Sequence, residues 1–133
     1  MIYDVEQMST IDFIGQFEQM VMTAVLVLRE NAYGVTIHEK VEEFASPKSV
    51  SLGAVYVTLD RLEDKGLVAS WMSDPTPERG GRSKRYFKLE ARGERALQEA
   101  ARAAGRICDA AEQFWGSELW NPGRKKWNPV RLK

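Results

Sequence analysis

The amino-acid sequence predicts a mainly α-helical α+β fold, and three observations lead to that prediction. Apolar residues recur every three or four positions in three segments before residue 65, as they do along one face of an amphipathic helix. Two short segments, 68–72 and 83–89, alternate apolar and polar residues on either side of a stretch rich in proline and glycine, which is typical of a β-hairpin. A last helical segment runs from residue 91 to about residue 119.

The first two helices follow from apolar spacing and from capping residues. The first is expected over residues 12–30, because its apolar side chains fall on one broad face. Those side chains are Phe13, Ile14, Phe17, Met20, Val21, Ala24, Val25 and Leu28. Thr36, followed three residues later by Glu39, has the spacing of a capping box, so the second helix is expected to begin there. Its inward residues would be Ile37, Val41 and Phe44.

The third helix is expected to begin after Ser51, which suits an N-cap, and to end at Lys65-Gly66. Its buried face would carry Leu52, Val55, Leu59 and Leu62. Its opposite face holds Gly53, Ala54, Val57, Asp60, Arg61 and Asp64, with Tyr56 at the boundary. Near its start, the third helix therefore presents small side chains outward.

The predicted order is three helices, a hairpin and a further helix, which is the winged helix-turn-helix arrangement. In that fold the third helix enters the major groove of DNA, and the hairpin, or wing, reaches the neighbouring backbone. The chain is therefore expected to comprise a winged-helix domain over residues 10–90, a dimerisation helix over 91–120 and an irregular basic tail over 121–133.

Charge and composition narrow the functional class. The formal net charge is zero, yet residues 1–45 hold eight acids and two bases, and residues 46–133 hold eleven acids and seventeen bases. Such separation favours a surface that attracts phosphate, because local potential matters more than net charge, although short domains also separate charge by chance. The acidic start lacks the features of a signal peptide, and no apolar run could span a membrane, so a cytoplasmic protein is expected.

No residue pattern in the chain suggests catalysis, a metal or a cofactor. His38 is the single histidine, so a histidine-based metal site or acid–base pair is not expected. No phosphate-binding loop or nucleophile elbow is present in the sequence. The single cysteine, Cys108, rules out an internal disulfide and is interpreted as a buried packing residue. A protein that is not an enzyme is therefore expected.

Two groups of side chains fit the chemistry of DNA recognition. The third helix and the residues just before it carry small side chains that allow close contact with DNA. They also carry a tyrosine that can donate a hydrogen bond, a valine that can contact a thymine methyl and serines that can donate to phosphate. These residues are Ser49, Ser51, Gly53, Ala54, Tyr56, Val57 and Arg61. The wing offers phosphate-binding charges and glycines for close backbone approach, namely Arg79, Gly80, Gly81, Arg82, Lys84 and Arg85. A solvated basic turn explains the wing equally well, and His38 fits either phosphate contact or an ordinary surface position.

The last helix carries an apolar seam at heptad spacing, which favours a homodimer over a helix folded onto its own domain. The seam consists of Leu97, Ala101, Ala104, Cys108, Ala111 and Trp115. Large aromatic side chains near its end and on the first helix could line a pocket for an apolar or aromatic effector between subunits, or could simply form the dimer core. They are Phe13, Phe17, Phe114 and Trp115.

The combination of these motifs resembles the PadR family of bacterial transcriptional regulators over about residues 12–115. The similar positions are Ala32-Tyr33-Gly34, Ser51, Tyr56, Leu59, Leu62, Lys65-Gly66-Leu67, Gly80-Gly81-Arg82, Tyr86, Leu89 and Gly93. The chain departs from the family at Val57, where many members have proline, and this departure affects base preference.

The resemblance implies a dimeric repressor that binds an inverted repeat of double-stranded DNA. Tyr33, in the Tyr-Gly turn that matches the family, is expected to be one of the DNA-binding residues. The resemblance also implies that a small aromatic or cationic effector can act at the dimer interface. A winged-helix module that binds a protein partner, without DNA, is the alternative; four basic residues in the wing favour DNA over that alternative.

Overall fold

The computed structural model describes residues 14–74 and 83–115. In these ranges the chain forms the predicted mainly helical fold with a two-stranded antiparallel sheet. The elements are α1 (Gln16–Leu28), α2 (Gly34–Ala45), α3 (Leu52–Asp64), β1 (Val68–Met72), β2 (Arg85–Leu89) and α4 (Ala91–Trp115). A 3₁₀ turn, Arg29–Asn31, separates α1 from α2.

The start of α2 differs from the prediction. The helix begins two residues before Thr36, with Tyr33 as its N-cap. The Tyr33 N–H donates to the Thr36 hydroxyl at 3.0 Å, and that hydroxyl donates to the Asn31 carbonyl at 2.6 Å. The predicted capping box at Thr36 and Glu39 was therefore wrong, because Thr36 satisfies the helix start from inside the first turn.

Both ends of α3 confirm the prediction. The Ser51 hydroxyl accepts from the Ala54 N–H at 3.0 Å and caps the first turn. At the other end Gly66 has φ of +79°, and two backbone hydrogen bonds close the turn, Gly66 N–H to Glu63 at 2.9 Å and Leu67 N–H to Leu62 at 3.0 Å. This is a Schellman ending, for which glycine is favoured because its φ is positive.

The wing begins as a regular antiparallel pair, with Val68 opposite Leu89 and Met72 opposite Arg85. Ser73 and Lys84 continue the pairing through a backbone hydrogen bond of 2.8 Å. On the other side of β2, Tyr33 forms a bridge with Tyr86, and the Phe87 N–H donates to the Ala32 carbonyl at 2.9 Å. The segment before α2 thus pairs with the free edge of β2 as a single β-bridge, and this pairing attaches the wing to the helices.

The three-helix core and the wing share one hydrophobic cluster. Its largest buried members are Phe87, Met22, Ile37, Leu59, Leu62, Val21, Val41, Val55 and Val68. Two predicted core residues are exposed instead: Phe44 near the end of α2 and Leu52 at the first residue of α3. Both lie at helix ends, where the helix extends past the neighbours that would cover it.

The helix α4 is buried only near its start. Gly93, Ala96 and Leu97 are buried against the domain, whereas Ile107 is 69% exposed although it lies about three turns after Ala96 on the same face. Cys108 is exposed, so its predicted burial is wrong for the single chain. The apolar face of α4 continues beyond the part of the domain that could cover it.

Candidate nucleic-acid interface

Near the start of α3, the exposed face of the helix carries small and apolar side chains. Gly53 and Ala54 are exposed and lie in the first turn, next to the exposed hydroxyl-bearing residues Ser49 and Ser51. Val57 is exposed one turn later. Because the first backbone N–H groups of a helix lack intrahelical partners, this end has a partial positive charge beside a surface that another molecule can approach closely.

Tyr56 lies between α3 and α2. It is half-buried and packs against the core, and its ring lies directly on Gly34 at the start of α2. A Cβ atom at Gly34 would come within 1.9 Å of the Tyr56 hydroxyl oxygen. Glycine at position 34 therefore makes room for the ring, which the structure holds at the edge of the exposed face of α3.

The turn between α2 and α3 is held by two side chains of α2. The Glu42 carboxylate accepts from the Val50 N–H at 2.7 Å and from the Ser49 hydroxyl at 3.4 Å. His38 donates through Nε2 to the Val50 carbonyl at 2.6 Å, since a carbonyl oxygen can only accept. His38 thus has a defined structural contact, which fixes the position of α3 relative to α2.

A cluster of three aromatic rings and one ammonium group forms the base of the wing. The Tyr33 and Tyr86 rings meet edge to face with centroids 5.4 Å apart, and Trp71 stacks on Tyr86 at 6.0 Å. The Lys84 Nζ atom lies 3.9 Å from the Tyr33 ring centroid, a cation–π contact. Trp71 was not singled out from the sequence, although its position opposite Tyr86 in the hairpin is a signal of cross-strand aromatic pairing.

Arg85 points back to α3. Its Nη1 atom lies 3.1 Å from the Asp60 carboxylate and its Nη2 atom 2.6 Å from that of Glu63. Its Nε–H donates to the Ser70 hydroxyl at 3.2 Å, and the guanidinium stacks over the Phe87 ring at 4.8 Å. The three nitrogen atoms of the guanidinium therefore all contact described residues of the same domain.

These contacts shift the acidity of the groups involved. The Ser70 hydroxyl, which donates to both carboxylate oxygens, lowers the pKa of Glu63, and Arg85 adds to that effect against the opposing influence of burial. Burial opposes the charge of Arg85, but the carboxylates of Glu63 and Asp60 outweigh it and raise the pKa of that guanidinium. Both shifts favour the charged forms of Glu63 and Arg85.

The remaining predicted residues are divided between the described and undescribed parts of the chain. Arg61 is exposed on α3. The wing tip, with Arg79, Gly80, Gly81 and Arg82, lies outside the described residues, as does Phe13 of the predicted effector group. Residues 116–133, which include the end of the predicted last helix and the basic tail, also lie outside them.

Among the predicted effector residues that the structure describes, Phe17 and Phe114 lie far apart within one chain. Two grooves, of about 380 and 270 Å³, run along α1 and α4; one is lined by Leu26 and Leu97 and the other by Gln16 and Ala104. The two helices are therefore antiparallel, and Phe114 lies ten residues, or about 15 Å, beyond Ala104. Phe17 is half-buried against the core, whereas Phe114 is 82% exposed.

Within residues 14–74 and 83–115, no three metal-binding side chains lie close together. In the same part of the chain, no helix has the length and apolar character needed to cross a bilayer.

Comparison with known proteins agrees with this geometry. The model of the transcriptional regulator PadR-like family matches residues 24–99. A PadR family transcription regulator from Clostridium difficile R20291 has a similar structure, with 24% identity, a TM-score of 0.63 and coverage of 77% of this chain and 100% of that chain. A PadR family regulator from Eggerthella lenta is 23% identical, with a TM-score of 0.59 and coverage of 85% and 93%.

The fold also occurs in a larger protein. The Aeropyrum pernix ORC1 protein, solved in complex with DNA, is 22% identical over 74% of this chain and 27% of that chain, with a TM-score of 0.56. At these identities each likeness is one of fold. No curated protein sequence matches the chain.

Proposed function

Because the chain belongs to the PadR-like family of transcriptional regulators, we propose that it is a homodimeric repressor that binds an inverted repeat of double-stranded DNA in the cytoplasm. The role is regulatory rather than catalytic. The observation that supports it best is the exposed first turn of α3, in which Gly53 and Ala54 are open to approach while Asp60 and Glu63 of the same helix contact Arg85 of the wing.

In this proposal α3 enters the major groove, which is about 12 Å wide and admits one helix. Gly53 and Ala54 allow the backbone to approach the bases, and Val57 contacts a thymine methyl. Tyr56 reads from the edge of the helix, and Arg61 lies farther along the same exposed face. Ser49 and Ser51 donate to phosphate, supported by the positive end of α3.

The wing binds the backbone beside the groove. Lys84, oriented by the Tyr33 ring, is the described wing residue assigned to phosphate, and the tip residues Arg79 and Arg82 extend that contact. Gly80 and Gly81 allow the tip to approach the DNA closely. His38 supports this surface from behind through its bond to Val50, rather than by contact with phosphate.

Dimerisation is proposed to occur through the second half of α4. Ile107 and Phe114 are large, apolar and exposed in the single chain, on the face that is buried at Ala96. A second copy that covers this face would remove both from water. It would also pair two α3 helices for half-sites about 34–36 Å apart, the usual spacing for dimeric helix-turn-helix proteins.

Ile107→Asp is expected to convert the dimer to a monomer, since it places a charge on an apolar interface. Affinity for an inverted repeat should fall at least about tenfold, or 1.4 kcal/mol, because the two half-sites are no longer bound by one particle. Light scattering and DNA titration measure both effects. Gln113→Asp, which adds the same charge at an exposed site on another face of α4, is the control. An Ile107→Asp protein that remained dimeric would contradict the proposed interface.

An effector would bind between subunits, near Phe17, Phe114 and Trp115. Phe17 lies near the start of α1, whereas Phe114 lies about 15 Å along α4 beyond Ala104, which lines a groove with Gln16. A shared pocket therefore requires the partner copy to bring these rings together. A planar aromatic cation titrated into the dimer should quench tryptophan fluorescence. Trp115→Ala should weaken its binding, and unchanged affinity in that variant would exclude Trp115 from the pocket.

A further inference from the structure

The helix proposed to read DNA is itself acidic. Within α3, Asp60, Glu63 and Asp64 contribute three carboxylates, against the single guanidinium of Arg61. Asp60 is exposed on the face that also carries Val57. Carboxylates at this position repel phosphate, so their presence on a DNA-reading helix calls for a physical reason.

Arg85 supplies that reason. Its guanidinium bonds Asp60 at 3.1 Å and Glu63 at 2.6 Å, and Ser70 at 3.2 Å connects the same group to β1. Asp60 and Glu63 are three residues apart on α3 and so lie on one side of it. The planar fork of arginine, contacting two carboxylates and a hydroxyl in different directions, fixes orientation as well as distance.

The position of Arg85 in the hairpin makes this contact effective. Arg85 pairs with Met72 at the outer end of the regular β1–β2 ladder. Its guanidinium also rests on the buried Phe87 ring. A contact at this point holds the outgoing hairpin against α3, whereas the neighbouring Lys84 reaches the Tyr33 ring instead.

We propose that Arg85 is a positioning residue, which sets the angle between the wing and α3 through Asp60, Glu63 and Ser70 and does not bind phosphate. The inference rests on the proposed DNA-binding function. It gives the acidic residues of α3 a role: they hold the described part of the wing so that Lys84 meets the DNA backbone while α3 occupies the groove.

A charge exchange tests the proposal. Arg85→Glu should weaken binding of the dimer to its DNA site at least about tenfold, because the new carboxylate repels Asp60 and Glu63. Adding Glu63→Arg rebuilds the shorter ion pair in reverse, while the carboxylate at position 85 still faces Asp60, and should recover at least about threefold of the affinity that Arg85→Glu loses. If Arg85 instead bound phosphate, adding Glu63→Arg would recover no affinity, since position 85 would still carry a negative charge. Failure of the exchange to recover affinity would therefore overturn the proposal.

Lys88→Glu combined with Glu63→Arg is the matched control, because Lys88 is exposed on β2 and has no part in the proposed DNA contacts. It has the same net charge as the exchanged pair, but it rebuilds no contact and leaves Arg85 facing Arg at position 63. The proposal expects affinity to stay at least about tenfold low in this control. Equal affinity in both pairs would show that only net charge matters, which would also overturn it.

All variants are titrated well below their unfolding temperatures, measured separately, so that loss of binding does not reflect loss of fold. Titration of the unaltered protein separates failure of the proposed DNA-binding function from failure of the role proposed for Arg85. If that protein binds no DNA, the proposed function fails; if it binds and only the exchange fails to restore affinity, the function stands and the role given to Arg85 is wrong.

Discussion

Ala54→Glu is expected to abolish DNA binding while leaving the fold intact or slightly more stable. Position 54 is the third residue after the Ser51 N-cap, so glutamate there completes a capping box with the hydroxyl that already accepts from the Ala54 N–H at 3.0 Å. The same side chain extends from the exposed first turn, where α3 would approach the DNA most closely. Stability and DNA binding should therefore change independently.

The expected loss in affinity is about 100-fold or more, equivalent to at least about 2.7 kcal/mol. A carboxylate about 4 Å from a phosphate, at an effective dielectric constant near 20, costs about 4 kcal/mol, which exceeds that threshold. Ala54→Gln is the matched control, because it adds nearly the same volume without charge and also permits the cap. Calorimetry and a fluorescence anisotropy titration measure the two effects, and an Ala54→Glu protein with full affinity would exclude the first turn of α3 from the interface.

Gly93→Ala is expected to have the largest effect on stability. A Cβ atom at position 93 would lie 2.0 Å from the Leu67 carbonyl oxygen and 3.0 Å from its carbonyl carbon. Both atoms belong to the backbone between α3 and β1, so no side chain can rotate away to relieve the contact. Either α4 must move off the domain or the Leu67 backbone must shift, and overpacking of this kind costs about 1–3 kcal/mol or more.

Thermal unfolding measures this cost, since each kcal/mol lowers the Tm of a small domain by about 4 °C or more. Gly105→Ala is the control within the same helix, because nothing lies within 4 Å of the Cβ position there. That variant should lose no stability, since alanine is favoured over glycine in a helix by about 1 kcal/mol. Equal Tm values for the two variants would contradict the close approach of α4 to Leu67.

The parts of the fold that local sequence determines were predictable. Ser51 and Lys65-Gly66 delimit α3 because capping and the positive φ of Gly66 depend only on neighbouring residues. The bounds of β1 were also predicted, because alternation along a strand is visible without its partner. The resemblance to the PadR family indicated the same winged-helix arrangement, which the family match over residues 24–99 supports.

Contacts between distant segments were not predictable in the same way. The basic residues of the wing look equivalent in the sequence, yet Arg85 bonds two carboxylates of α3 whereas Lys84 lies over Tyr33. The choice depends on strand register and on the angle between the hairpin and α3, neither of which local spacing specifies. Phe44 was assigned to the core for a related reason: periodicity shows which way a side chain faces but not where its neighbours end.

Selection of bound DNA from a random library by the purified dimer tests the central claim most directly. If α3 reads bases and α4 pairs two copies, the recovered sequences should share an inverted repeat with half-site centres about one helical turn apart. Enrichment should be lost with Ala54→Glu. Recovery of no common sequence, together with salt-insensitive binding to a protein partner, would contradict the account and favour a winged-helix module for protein contacts.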